Sequence, residues 1–185
     1  MSLTQYYTAT SLDGFIADQS HSLDWLFDRE QDRTGPLNYA DFIAGVGALA
    51  MGSTTYEWIL DHELAGKERA DWKWPYEIPG WVFTHRELTT VPGAPIEFTS
   101  GDVAPVHKAM VRAAGGRNVW IVGGGDLAGQ FAEAGLLDEV IVYIAPVTLG
   151  AGAPLLARKV ELELRELAQN GAFACARYSV VRPSG

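Results

Sequence analysis

Apolar residues along this chain recur with two periods, and the alternation between them lays out the elements. Short runs rich in β-formers read as strands: Gln5 to Thr10 (QYYTAT), Ala48 to Met51, Trp81 to Thr84, Val119 to Val122 and Val140 to Ala145. Helical spacing appears in Ala40 to Val46, which runs out at Gly45 or Gly47, and in the segment beginning at Ser53, where hydroxyl residues stand at N-cap positions. It returns in Val103 to Ala114, with Val106, Met110, Val111 and Ala114 on one face and Gly115-Gly116 as the stop, and again from Asp126 to Glu133. Ser11-Leu12-Asp13-Gly14 is a turn, in which an Asp bonding its own backbone is the ordinary reading, and Phe15 to Ala17 resumes an extended course. Residues 18–38 predict a loop with a short helix around Leu23 to Leu26, and residues 92–100 a turn and a short strand. Val160 to Leu167 alternates apolar and charged residues, as a half-solvated strand does. Asn170-Gly171 then marks a two-residue hairpin turn into Ala172 to Val181.

Strands alternating with helices, closed by a hairpin, predict an α/β fold with a mostly parallel sheet and an antiparallel edge. Such sheets bind ligands at the carboxyl ends of their strands. Met51-Gly52, Thr84-His85-Arg86 and Gly123-Gly124-Gly125 are all predicted strand ends, so parallel strands would bring them to one edge. In the last, the apolar run Val119 to Val122 meets three glycines and then a helix start, which offers free N–H groups and the positive end of a dipole to a phosphate. Glycines there let a diphosphate lie on the main chain, although a tight turn before a packed helix accounts for them too. Gly123-x-Gly125-x-x-Ala128 also matches a Rossmann fingerprint, but the next strand ends at Ala145-Pro146 without the acidic residue that fold requires. The aromatic stretch 61–79, with Trp72, Trp74 and Tyr76, either packs over the surface or lines a pocket.

Composition narrows the function classes. The 185 residues read as one domain, 1–185, able to bury roughly 70% of its unfolded surface without disulfides or metal. A hydrophobic content of 48% with 20% charged residues is that of a globular chain. No apolar run approaches the roughly 18 residues of a membrane helix, and the N-terminus has no leader pattern, so a cytoplasmic protein is expected. A net charge of −9 argues against nucleic acid or an anionic membrane as partner. Four scattered His and one Cys predict no metal site, and Cys175 reads as a buried, inert thiol.

Taken together, MGSTTY (Met51 to Tyr56), VFTHR (Val82 to Arg86) and VGGGDLAGQF (Val122 to Phe131) resemble the dihydrofolate reductase-like superfamily. They resemble in particular its branch related to the reductase domain of riboflavin biosynthesis. TSLDGFIA (Thr10 to Ala17) is similar to that branch's opening motif and PVTLGAGAPLL (Pro146 to Leu156) to its late glycine loop. The resemblance implies a three-layer fold, a mixed sheet of about eight strands with flanking helices and a C-terminal antiparallel hairpin. It also implies an NADPH-dependent reductase, with NADH possible, of a small heterocyclic (pterin- or pyrimidine-like) or carbonyl substrate, working as a homodimer. The alternative is a dinucleotide-binding protein of the same fold without efficient catalysis, in a regulatory role.

By that resemblance, Ala9 and Ile16 would flank the nicotinamide, and Gly52, Ser53, Thr54 and Thr55 would hold the diphosphate. Thr84, His85 and Arg86 would meet the adenosine ribose and its 2′-phosphate. Gly123, Gly124 and Gly125 would carry the diphosphate, with Val122, Asp126, Leu127 and Gln130 beside it. Relatives carry Arg directly after the Met-Gly, where this chain has Ser53, and riboflavin-pathway enzymes carry Lys where it has Tyr7. Asp41 stands nearer Gly52 than the family's buried acid and is not assigned that part. For the proton of a reduced C=N or C=O, Asp13 ranks first. Trp25 and Tyr56 either line the substrate side or pack in the core.

Overall fold

The computed structural model describes residues 2–182 and contains an eight-stranded sheet, ordered β5-β4-β3-β6-β1-β7-β10-β9. Its parallel part comprises β1 (Thr4–Ser11), β3 (Val46–Gly52), β4 (Gly80–Phe83), β5 (Ile96–Thr99), β6 (Asn118–Gly123) and β7 (Glu139–Ala145). The closing hairpin, β9 (Leu162–Asn170) and β10 (Phe173–Val180), adds antiparallel beside β7. This is the mixed, mostly parallel architecture that the periodicity predicts.

Helices cover both faces, because the central strands are apolar on both sides. On one face, α4 (Val103–Ala113) and α5 (Gly125–Glu133) bury Val103, Met110, Leu127 and Phe131 against Tyr6, Ala48, Ala50 and Ile121. On the other, α3 (Ser53–Glu63) buries Tyr56 and Ile59 against Leu49, Met51 and Val82. Two short helices, α1 (Asp24–Phe27) and α2 (Tyr39–Ala44), lie in the first long connection. Trp25, Phe42 and Ile43 from these helices pack onto the same core cluster as α3. Sequential Tyr6 and Tyr7 enter opposite clusters, as strand alternation requires.

The aromatic stretch resolves as packing. Trp74 sits 5.4 Å from the ring of Tyr56, and Tyr76 packs edge-on to Trp120 at 5.7 Å. Two local expectations change. The N-cap of α3 is Gly52 rather than a hydroxyl residue, so Ser53, Thr54 and Thr55 form the first helical turn. The hairpin loop is Gly171-Ala172, since Asn170 pairs with Phe173, and Gly171 takes φ 57° at its first position. Asn170 is withdrawn from the turn because its buried amide holds residues 32–36: it donates to the Asp32 and Pro36 carbonyls and accepts the Asp32 N–H at 2.8 Å. Within the stretch expected to be a glycine-rich loop, Ala153–Pro154 (β8) pairs with Phe15–Ala17 (β2) as a second, two-stranded sheet.

Candidate functional site

The cleft forms where the course of the chain switches sides. Strands β3 and β6 are neighbours, yet the helix after β3 leaves to one face of the sheet and the helix after β6 to the other. A crevice must open between such diverging helices at the strands' carboxyl ends. Here it encloses about 680 Å³.

Both helix starts open into it. The N-caps of α3 and α5 are Gly52 and Gly124, neither of which has a side chain to satisfy the first-turn N–H groups. By contrast α4 is closed by Asp102, whose carboxylate accepts from the Ala104 N–H, and α2 by Asn38. The helices that face the cleft are thus left available to an anion.

The three glycines divide between two tasks. A Cβ on Gly125 would stand 2.1 Å from the carbonyl oxygen of Pro154, so this glycine lets β8 cross the start of α5. A Cβ on Gly124 would meet only the Ile16 side chain, at 3.9 Å, and would stand on the cleft side. One on Gly123 would press on the Thr55 hydroxyl at 3.0 Å. The Gly123-Gly124 peptide is cis. The tight-turn reading thus holds at Gly125, whereas Gly124 leaves its main chain open to the cleft.

Nearly all residues expected to contact a dinucleotide line this cleft. From β3 and α3 come Gly52, Ser53, Thr54 and Thr55; from the end of β4, Thr84, His85 and Arg86. From β6 and α5 come Val122, Gly123, Gly124, Gly125, Asp126, Leu127 and Gln130, and from β2, Ile16. Asp126 is held in place by Arg158 at 3.0 Å and by the Gln130 amide at 2.8 Å. Arg86 forms a two-pronged pair with Glu57, at 3.1 and 2.7 Å.

Ala9 is the exception. It packs with the cluster on the opposite face, and its neighbour Thr8 lines the cleft, because successive strand residues point to opposite sides. Tyr56 is fully buried and donates its hydroxyl to the Thr89 carbonyl at 2.7 Å, with burial raising its pKa. Trp25 packs half-buried against the core on the α3 side. Neither is in the cleft wall, so core packing is what the fold assigns to both.

Asp13 also stands outside the cleft wall. Its carboxylate accepts the Ser11 hydroxyl at 2.6 Å and the N–H groups of Leu149 and Gly150, and these bonds, Ser11 first, hold its pKa down to about 2. Bonds of this kind favour the ionised carboxylate. Asp41 is exposed on α2, bonded to the Asn38 amide.

Periodicity gave no sign of several cleft residues. Thr8, His21, Leu23, Trp58, Ser100 and Ala153 are also in the wall. Ser100 follows β5 and was findable by the strand-end rule. His21 lies in a polar loop, and what distinguishes it is a left-handed backbone, φ 60°, visible only in three dimensions. Among the described residues no group of three or more His, Cys, Asp or Glu could hold a metal ion. No helix among them is long and apolar enough to cross a membrane.

Residues 57–177 match the family model of the RibD C-terminal domain. The chain belongs to that family. RibD C-terminal domains are reductase domains. Uncharacterized protein YwjB of Bacillus subtilis is 30% identical over 179 residues, covering 91% of this chain and 92% of its own. A protein from Shewanella sp. PV-4, provisionally named for riboflavin biosynthesis, is 25% identical with a TM-score of 0.77, covering 97% of this chain and 99% of that one. The dihydrofolate reductase of Enterococcus faecalis, solved with NADP(H), shares the fold at 13% identity and a TM-score of 0.55, covering 96% of each chain. The fold and the superfamily expected from the motifs are thereby established.

Proposed function

We propose that the cleft binds a nicotinamide dinucleotide, NADPH ahead of NADH, and that the protein reduces a small heterocyclic (pterin- or pyrimidine-like) or carbonyl substrate. The observation that carries this reading is the pair of uncapped helix starts, at Gly52 and Gly124, that meet in one cleft from opposite faces of the sheet. A diphosphate has two charged groups to offer two such ends. The free space over Gly124, which a Cβ would fill, suits close approach of a phosphate to the main chain.

In this reading Gly52 to Thr55 and Gly123-Gly124 hold the diphosphate, while Thr84, His85 and Arg86 receive the adenosine ribose and its 2′-substituent. Thr8, Ile16 and Ala17 form the wall at the nicotinamide end and keep water from it. The dinucleotide supplies the hydride, and the protein's contribution is alignment in a dry site. The acceptor also needs a proton. His21 shares the Ile16–Ala17 wall, and its imidazole is the group we assign to deliver one, directly or through water. A homodimer is part of this reading, and Leu164 and Leu167, exposed on the outer strand β9, supply apolar surface for it. A cytoplasmic location accords with the free thiol of Cys175.

Titration with NADPH and NADH, followed by energy transfer from tryptophan to nicotinamide, tests the reading. Saturable binding by the wild type and its weakening by Arg86→Ala are expected; failure of both dinucleotides to bind would reject it. A second reading, a dinucleotide-binding protein without efficient catalysis, is favoured by one observation: neither Asp13 nor Asp41 reaches the cleft wall. It predicts NADPH that binds and is never oxidised by pterin, pyrimidine or carbonyl acceptors.

A further inference from the structure

We infer that Glu57 sets the balance between NADPH and NADH, by holding Arg86 in a bidentate pair with which a 2′-phosphate must compete. This rests on the dinucleotide reading above. Arg86 is the one arginine among the described residues of the cleft wall. Both of its terminal nitrogens are engaged: Nη1 donates to Glu57 Oε1 at 3.1 Å and Nη2 to Oε2 at 2.7 Å. The backbone beneath is fixed as well, since the Arg86 N–H donates to the Thr84 hydroxyl at 3.0 Å and that hydroxyl donates to the Arg86 carbonyl at 3.1 Å.

Glu57 reaches this place because it stands four residues after Ser53, on the helical face that begins at the cleft. As a stabilising device the pair is weak, with the two side chains 59% and 40% exposed. As a ligand contact it has consequences. A two-pronged carboxylate occupies the fork with which a guanidinium meets a phosphate. A phosphate monoester, carrying between one and two negative charges near neutrality, must displace Glu57 or lie beside it. A ribose 2′-hydroxyl has no such conflict, since it donates to a carboxylate, as ribose does to the acidic residue of dinucleotide sites that select the unphosphorylated form. Ser53 adds no compensating cation. Glu57 therefore weakens the phosphorylated dinucleotide and spares the other.

Equilibrium titration of the wild type, Glu57→Gln, Arg86→Ala and the double variant with each dinucleotide tests this. The wild type is expected to bind the two within about tenfold of each other. Glu57→Gln tightens NADPH by about fivefold and leaves NADH unchanged or weaker. The gain disappears when Arg86→Ala is added. Glu57→Asp, whose shorter arm cannot hold both bonds, shifts the ratio in the same direction and serves if the glutamine variant does not fold. An unchanged ratio in both Glu57 variants, with binding retained, overturns the inference and leaves the dinucleotide reading standing. A gain that survives loss of Arg86 overturns it too, because removal of a nearby charge would then suffice. If the wild type binds neither dinucleotide, both fall together.

Discussion

The carboxylate of Asp13 accepts the backbone N–H of Gly150 at 2.7 Å, across 137 residues of chain. With the Leu149 N–H, this ties the turn after β1 to the loop before β8, and β8 lies against the start of α5. The tie depends on charge. A carboxylate whose pKa in the folded state is about 2, against 3.8 otherwise, stabilises the fold fully above 3.8, and the contribution is lost as pH falls through 2. Asp13→Ala is expected to melt below the wild type at neutral pH, with the gap closing between pH 3.8 and about 2. Thermal melts followed by circular dichroism across that range check it; a gap that stays constant down to the lowest pH would show that the ionised carboxylate is not the tie.

Gly124 and Gly125 are adjacent and should respond in opposite ways. Gly125→Ala drives a Cβ into the Pro154 backbone at 2.1 Å, where no side chain can give way, and should cost about 3 kcal/mol or more of stability. Gly124→Ala meets only the Ile16 methyl at 3.9 Å, with φ −92° that alanine accepts, and should cost less than about 1 kcal/mol. Its Cβ instead occupies space we assign to phosphate, so NADPH affinity should fall on the order of tenfold or more. Urea unfolding and dinucleotide titration on both variants separate the two effects.

Ser53 occupies the first helical position of α3, in the cleft wall. Ser53→Arg adds a charged donor at the start of that helix. One charge-assisted hydrogen bond is worth about 1.5–3 kcal/mol, so NADPH should bind roughly ten- to hundredfold more tightly. NADH, without the 2′-phosphate, should change little. Equal gains for both dinucleotides would mean that the new side chain meets the diphosphate instead.

His21 is testable without disturbing its backbone, because asparagine tolerates its positive φ better than other non-glycine residues. His21→Asn is expected to lower kcat roughly a hundredfold or more while the dinucleotide Kd stays near the wild-type value. A kcat within a few-fold of the wild type would return the role to bulk water.

Local elements can be read from neighbouring residues alone. Strand, glycine and helix follow one another within one short stretch at Met51 to Trp58 and again at Val119 to Glu133, and period, turn residues and helix starts are properties of neighbours in the chain. Because parallel strands align their carboxyl ends, even the convergence of Gly52, Thr84 and Gly124 on one cleft was legible from that pattern. Tertiary structure decided whatever depends on a single step of alternation or on distant chain. A shift of one residue along β1 exchanges the two faces of the sheet, which is why Thr8 and not Ala9 lines the cleft. Tyr56 lies in the core because the inner face of α3 packs there, although its motif neighbours Thr54 and Thr55 face the cleft. Asn170 left its turn to hold residues 32–36, and Asp13 became a tie to Leu149 and Gly150. Those bonds span more than a hundred residues, and their partners are chosen by the way the sheet is assembled, which no local pattern encodes.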